Sequence, residues 1–114
     1  VVVERMAVPA SCEGISDRSA QMECFNQWIQ RYLAQNLSYP PRAAALGEEE
    51  TLYLQFIISE NGAVAEVQTV RGHNQDLVAE AERAIKAMPL FKPASQMGRA
   101  VRVRLTIPVR FKLR

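Results

Sequence analysis

The strictest hydrophobic pattern in the chain lies near its C-terminus, where apolar and polar residues alternate from Val101 to Leu113. Every odd-numbered position in this stretch is apolar, and the even-numbered positions are mostly charged. A period of two residues is typical of a β-strand with one buried face and one face in water. Pro108 has no N–H to donate to a neighbouring strand, and interior strands seldom tolerate that loss. We therefore predict a strand over residues 101–113 at an edge of its sheet.

A β-hairpin is predicted in the middle of the chain. Residues 51–59 alternate with strand period, and Asn61-Gly62 follows them. This pair favours positive φ at both central positions of a two-residue hairpin turn, so residues 63–70 are expected to form the return strand.

Two segments carry apolar residues at helical spacing. The first begins near Ser19, with Asp17 or Ser19 as N-cap, and must end before Tyr39-Pro40-Pro41 because a residue that precedes proline is driven out of helical conformation. The second covers residues 75–88 and ends at Pro89. The apolar positions are Met22, Phe25, Trp28, Ile29, Tyr32, Leu33 and Leu37 in the first helix, and Val78, Ala81, Ile85 and Met88 in the second.

The remaining segments predict little regular structure. Residues 1–18 show no sustained hydrophobic period, so we predict an irregular lead-in there. We predict a loop between Pro89 and Val101. Residues 43–46 have room for one short helical turn, closed by Gly47.

The order of elements predicts an α+β fold. A right-handed crossover through the second helix carries the third strand parallel to the second, so a three-stranded antiparallel sheet must have the spatial order 2-1-3. This topology places the third strand at an edge, in agreement with Pro108. Whether the first helix covers the sheet or only its rim stays open. We expect residues 1–114 to form a single domain, with the lead-in and first helix in 1–38 and a core in 39–114.

Composition fits this interpretation. The chain has 114 residues, of which 48% are hydrophobic and 23% charged, as in an ordinary globular domain. Its longest apolar runs are too short to cross a bilayer. Because the chain opens on Val1 without an initiating Met, we expect it to be a fragment of a longer protein whose upstream part holds an anchor or a targeting signal.

Catalysis is not expected. The chain has one histidine, His73, in a predicted loop, and it has no glycine-rich phosphate loop. With only two cysteines beside that histidine, a four-ligand zinc site is not expected, and no cofactor is indicated. Cys12 and Cys24 are either a disulfide of an oxidising compartment or two buried thiols, and the residues alone leave both readings open.

Charge is concentrated at the end of the chain. Residues 99–114 carry six basic groups and no acid, whereas residues 1–98 carry 8 basic and 12 acidic groups. A solvated strand face explains this strip, and a small nucleic-acid-binding module is an alternative. The exposed strand also suggests a second role, because an unpaired edge can capture an extended peptide as an added strand. Its charges and Pro108 equally suit an edge that is protected against such pairing.

At this point an ordered set of short motifs resembles a known family. Residues 36–113 are similar to the C-terminal domain of TonB-type energy transducers, and the lead-in with both cysteines lies outside the resemblance. The motifs are Tyr39-Pro40, Arg42-Ala43, Ala45-Leu46, Asn61-Gly62, Ala81, Ile85, Met88-Pro89, Phe91-Lys92-Pro93, Gly98, Val101, Val103, Ile107-Pro108-Val109 and Phe111-Lys112-Leu113.

The resemblance implies a function and partners. Such domains lie in the periplasm, anchored in the inner membrane through one upstream helix and a Pro-rich linker, and are powered by an ExbB/ExbD-type motor. They bind the N-terminal TonB box of outer-membrane transporters as an added strand and transmit force for nutrient import. The implied partner-binding residues are Tyr39, Pro40, Arg102, Val103, Arg104, Leu105, Thr106, Ile107, Pro108, Val109 and Arg110.

Further expectations depend on the resemblance. An oxidising periplasm favours a Cys12–Cys24 disulfide. We hypothesise that Arg102, Arg104 and Arg110 steer acidic residues that flank the box, because complementary charge mainly speeds encounter. The exposed strand also permits a homodimer by strand exchange. The alternatives that remain are a TonB-like interaction domain of a membrane sensor or regulator, and a small basic nucleic-acid binder.

Overall fold

The helices and strands follow one another largely in the predicted order, in a computed structural model that describes residues 3–113. A short 3₁₀ turn at Ala10–Cys12 precedes them. The helices are α1 (Arg18–Asn36), α2 (Pro41–Ala45) and α3 (Gln75–Lys86), and the strands are β1 (Glu50–Ile58), β2 (Val64–Arg71), β3 (Ala94–Gln96), β4 (Arg99–Val101) and β5 (Val103–Phe111). Within this described range no helix is both long and apolar enough to cross a membrane.

The main sheet has the predicted topology. Its three strands lie in the order β2-β1-β5, and both pairings are antiparallel. The predicted α+β fold with strand order 2-1-3 is therefore confirmed, with the short α2 as a third helix. The last strand of the chain lies at an edge of the sheet, as Pro108 indicated.

The prediction of a loop between Pro89 and Val101 was wrong from Ala94 onward. This part of the chain forms the β3–β4 hairpin, and β5 follows β4 after Arg102. The turn of the β3–β4 hairpin is Met97-Gly98, with φ values of 51° and 76°. Two consecutive positive φ values define the tight turn that matches strand twist, although Met is an unusual residue in that position.

The turn between β1 and β2 also differs from the prediction. Gly62 has a φ of 87°, but the non-glycine residues with positive φ in residues 3–113 are Glu66 and Met97, so Asn61 is not among them. The N–H of Gly62 donates to the carbonyl of Ser59 at 2.9 Å, and the N–H of Ser59 donates to Ala63 at 2.9 Å. This pattern closes a three-residue loop with a glycine bulge rather than a two-residue turn.

Helix α3 covers one face of the sheet. Its N-cap is Asn74, whose side chain accepts from the N–H of Leu77 at 3.1 Å. Of the residues predicted on its apolar stripe, Val78 is only partly buried, and Leu77 beside it is fully buried instead. The fully buried residues at this interface are Leu77, Ala81, Ala84 and Ile85 from α3, and Leu52, Leu54, Phe56 and Ile58 from β1.

Helix α1 packs on α3 and on the segment before β3. Asp17 is its N-cap and accepts from the N–H of Ala20 at 2.9 Å. Trp28 meets the ring of Phe91 edge-on at 5.4 Å, and the hydroxyl of Tyr32 donates to the carbonyl of Ala84 at 2.8 Å. The open question of its position is thus answered in favour of the rim. Met22, predicted on the apolar stripe, is instead 49% exposed.

The lead-in is more regular than predicted. Arg5 and Ser95 exchange two backbone hydrogen bonds of 3.1 and 3.0 Å, and Val8 and Lys92 exchange two of 3.1 and 2.8 Å. The lead-in therefore runs antiparallel beside the chain that enters β3. Farther along the lead-in, the sulfur atom of Cys12 lies 2.03 Å from that of Cys24, and this disulfide joins the lead-in to α1.

Candidate site for strand addition

One side of β5 is unpaired. The strand pairs with β1 at nine consecutive positions, from Glu50–Phe111 to Ile58–Val103. Among residues 3–113, no strand pairs with its opposite side. An edge of this kind presents a row of backbone N–H and C=O groups that another chain can use.

Pro108 indicates which backbone groups face outward. It lies opposite Tyr53, and the pairing with β1 continues without a break on both sides of it. Because proline has no N–H to give to β1, its nitrogen is expected on the free side of the strand. In an antiparallel ladder the backbone groups alternate in direction with a period of two. Arg104, Thr106 and Arg110 therefore also present their N–H and C=O groups to the free side.

The side chains of β5 separate the predicted site residues into two groups. Ile107 and Val109 are buried in the core beneath the sheet, and Val103 and Leu105 are partly buried there. Arg102, Arg104, Thr106, Pro108 and Arg110 are exposed on the opposite, outer face. The even-numbered residues thus offer a guest strand their backbone groups, whereas the buried side chains of the odd-numbered residues hold β5 to the domain.

The positive charges at this edge are not equivalent. Arg102 forms an ion pair with Glu66 of β2 at 2.5 Å, with both side chains more than half exposed. Because β1 lies between β2 and β5, this pair spans the outer face of the sheet. Arg104 and Arg110 have no carboxylate within ion-pair distance among the described residues. These two are the arginines of β5, and both have charge to offer a partner.

Tyr39 lies at the C-terminal end of β5. Its ring meets that of Phe111 edge-on at 5.4 Å, and its hydroxyl donates to the carbonyl of Glu48. Loss of water around the hydroxyl raises the pKa of Tyr39, and the nearby carboxylates of Glu49 and Glu48 add to this effect. Pro40, the N-cap of α2, is partly buried next to it. The predicted Tyr39-Pro40 motif is therefore brought to one end of the free edge.

A second contact anchors the same end. The N–H of Leu113 donates to the carboxylate of Glu49 at 2.5 Å. The sequence pattern did not single out Glu49, which belongs to a run of three glutamates, Glu48-Glu49-Glu50. Its neighbour Glu50 accepts from the N–H groups of His73 and Asn74 at 3.0 Å, so this run ties together the chain around β1.

No group of three potential metal-ligating side chains occurs within residues 3–113. His73, the one histidine, is exposed in the loop before α3.

Comparison with known proteins identifies the family. The family model for the C-terminal region of Gram-negative bacterial TonB proteins matches residues 35–113. The chain belongs to the TonB C-terminal domain family. The resemblance noted in the sequence is thereby confirmed, and the matched range contains the whole β5 edge but leaves the disulfide-bonded lead-in outside.

Solved TonB domains share the fold. The solution structure of Helicobacter pylori TonB-CTD (residues 179–285) is 24% identical, with a TM-score of 0.62 over 79% of this chain and 81% of that one. The solution structure of Pseudomonas aeruginosa TonB CTD is 25% identical, with a TM-score of 0.55 over 67% of this chain and 77% of that one. No curated protein matches the chain.

Proposed function

We propose that this TonB-type domain binds the N-terminal TonB box of an outer-membrane transporter as a strand added to β5. In this proposal the domain works in the periplasm, is anchored upstream in the inner membrane, and passes force from an ExbB/ExbD-type motor to the transporter so that a nutrient enters. The observation that carries the proposal is the unpaired side of β5, where Arg104, Thr106 and Arg110 supply three free donors.

The packing of β5 suits a strand that bears load. Its nine paired positions with β1 resist a pull along the strand direction together, since such a pull loads the whole ladder at once. The buried side chains of Ile107, Val109 and Phe111 hold the strand to the core, and the contacts of Tyr39 and Glu49 hold its C-terminal end. A guest on the free side would therefore be attached to the strand whose pairing with β1 is unbroken, whereas the β1–β2 pairing has register shifts.

The charge distribution supports the same partner. Arg104 and Arg110 flank Thr106 and Pro108 on the outer face and have no acidic partner among the described residues. Charges beside a binding site raise the association rate with a partner of opposite sign. Acidic residues next to the box would thus be drawn to the edge.

Titration with synthetic peptides that carry transporter N-termini tests the proposal. Amide shifts in the NMR spectrum are expected along residues 103–111, and the Thr106→Pro variant is expected to bind at least about tenfold more weakly because a guest-facing donor is lost. Thr106→Val is the matched control, since it retains the N–H and a strand-favouring side chain. Equal affinity for both variants, or shifts confined to another surface, would overturn strand addition at β5.

A TonB-like domain of a membrane sensor or regulator would use the same edge. The upstream sequence discriminates, because a transducer needs one N-terminal membrane helix and a long Pro-rich spacer. A nucleic-acid binder would instead show affinity for generic DNA that falls steeply with salt.

A further inference from the structure

The free edge does not end where β5 begins. β4 and β5 are separated only by Arg102, and the alternation of exposed and partly buried side chains continues without interruption from Ala100 to Leu105. A bulge would have shifted this alternation by one position. The stretch from Arg99 to Phe111 therefore behaves as one long strand that changes partner near its middle.

Both partners lie on the same side of this long strand. In a two-residue hairpin turn the flanking pair, here Gln96 and Arg99, is hydrogen-bonded, so the backbone groups of the odd residues Arg99 and Val101 face β3. The position of Pro108 shows that the odd residues of β5 face β1. The odd-numbered residues therefore face the partner strand in both halves of the long strand. β3 consequently lies on the same side as β1 and in line with it.

An independent contact agrees with this placement. β1 ends opposite Val103, and β3 begins opposite Val101. Between them, the N–H of Phe91 donates to the carbonyl of Gly62 at 2.8 Å, which holds the chain before β3 against the turn that follows β1. The side of β4 away from β3 is consequently a continuation of the free side of β5.

The lead-in holds this extension in place. It hydrogen-bonds to the chain at Lys92 and Ser95, and so occupies the outer edge of β3. The Cys12–Cys24 disulfide then ties the lead-in to α1. Among residues 3–113 the small sheet is therefore closed at β3, and β4 is its open edge.

We propose that the binding edge extends across β4, so that the domain holds an extended acidic polypeptide segment of about twelve residues, opposite residues 99–110. This inference rests on the proposed function and names its partner further: the transporter segment that continues beyond the TonB box. Ala100 and Arg102 add two outward-facing N–H groups to the three of β5. Arg104 and Arg110, with no carboxylate within ion-pair distance among the described residues, and the exposed Arg99 give this edge a positive charge that favours acidic side chains on the guest.

Two peptides separate this inference from the proposed function. One is about six residues long and carries the box alone, and the other is about twelve residues long and adds an acidic extension. Hydrogen exchange of the bound wild-type domain is the direct readout. We expect the amides of Ala100 and Arg102 to be protected by the long peptide and unprotected with the short one, and we expect the long peptide to bind at least about tenfold more tightly.

Ala100→Pro is the matched probe. Its missing N–H faces the free side, so the variant loses a donor to the guest and keeps the bonds to β3, as Pro108 does in β5. Ala100→Pro should lower the affinity for the long peptide toward that for the short peptide, and it should leave the affinity for the short peptide unchanged. Ala100→Val should change neither affinity. The Cys12→Ala/Cys24→Ala variant should lose part of the same gain, because only hydrogen bonds then hold the lead-in beside β3.

The outcomes are distinct. Equal affinities for both peptides, with Ala100 and Arg102 still exchanging freely, would overturn the extension and leave the β5 site standing. Binding of the long peptide alone, with both amides protected, would support the extension and count against a short box as sufficient. Failure of both peptides to bind would overturn both proposals.

Discussion

The carbonyl oxygen of Phe91 occupies the space into which a side chain at position 62 would project. A Cβ atom on Gly62 would lie 1.9 Å from that oxygen, far inside contact distance. The N–H of the same Phe91 donates to the carbonyl of Gly62 at 2.8 Å. The turn after β1 and the approach to β3 are thus in direct backbone contact, and this contact aligns the two halves of the free edge.

Gly62→Ala should therefore destabilise the domain more than an ordinary glycine replacement. The added methyl group must push backbone away from backbone, which we expect to cost about 3 kcal/mol in the free energy of unfolding, measured by urea denaturation. Gly47→Ala is the control, since Gly47 also has positive φ, at 67°, but has open space around its Cβ position. Its cost should be about 1 kcal/mol, from backbone strain alone. Equal losses for the two variants would show that the contact with Phe91 has no energetic weight.

Val109→Asp should abolish cooperative folding. Val109 is fully buried, and an unpaired carboxylate there costs several kcal/mol, comparable to the whole stability of a small domain. Thr106→Asp lies on the exposed face of the same strand and should melt cooperatively near the wild-type temperature. Thermal melts followed by circular dichroism decide this. A well-folded Val109→Asp protein would contradict the assignment of the buried face.

The surroundings of Glu80 should make the free energy of unfolding depend on pH. Hydrogen bonds from the Arg83 side chain lower the pKa of Glu80 from its usual 4.5; burial opposes this effect, and the Ser38 N–H, at 2.7 Å, adds to it. Because the folded pKa is depressed, the charged carboxylate stabilises the fold above about pH 4.5, and this contribution is lost as the pH falls through the folded value.

Glu80→Gln should accordingly be less stable than wild type by about 1 kcal/mol at pH 7. The difference should shrink as the pH falls below 4.5. Denaturation curves at pH 7 and pH 3 measure it, with Glu60→Gln in the exposed β1–β2 loop as control. A difference that is constant with pH would rule out the carboxylate charge as its cause.

The disulfide should stabilise the domain measurably. Closing the chain between Cys12 and Cys24, a separation of 12 residues, restricts the unfolded state by about 3 kcal/mol in the chain-entropy view. Cys12→Ala/Cys24→Ala and reduced wild-type protein should both show this loss in denaturant titrations. Oxidised and reduced wild type with the same midpoint would refute it.

The arginines of the edge should differ in their effect on association. Reversal of Arg104 and Arg110 to Glu is expected to slow the association of an acidic box peptide by about tenfold at low salt and to flatten or reverse its salt dependence. Arg102→Glu should have a smaller effect, because Arg102 is already paired with Glu66 in the free domain. Stopped-flow kinetics at two salt concentrations measure both. An unchanged association rate after the double reversal would contradict electrostatic steering by Arg104 and Arg110.

The fold could be predicted where periodicity was long and unambiguous. The alternation through Leu52 and Leu54 in β1 and through Ile107 and Val109 in β5 gave the strands, and Pro108 gave the edge. The β3–β4 hairpin escaped because each strand has three residues, too few for a period to appear. Its turn also places Met97 where Asn or Gly would have been a signal.

The site was harder to predict than the fold. The residue pattern predicted the free edge, but it did not indicate that Arg102 is paired with Glu66 or that Glu49 accepts from the N–H of Leu113. Such relationships depend on partners distant in the sequence. The pairing of the lead-in with Lys92 and Ser95 could not be predicted for the same reason, since local periodicity does not indicate a contact between residues more than eighty positions apart.

The bond between Cys12 and Cys24 changes how tension would travel through the molecule. A pull applied upstream of Cys12 first loads the hydrogen bonds of Arg5 and Val8 to the chain before β3, and once these break it passes through the two sulfur atoms into the second turn of α1. Residues 13–23 then form a slack loop that carries none of it. The first turn of the helix is then spared from unwinding, and the covalent attachment point of the domain is the second turn of its longest helix rather than the start of that helix.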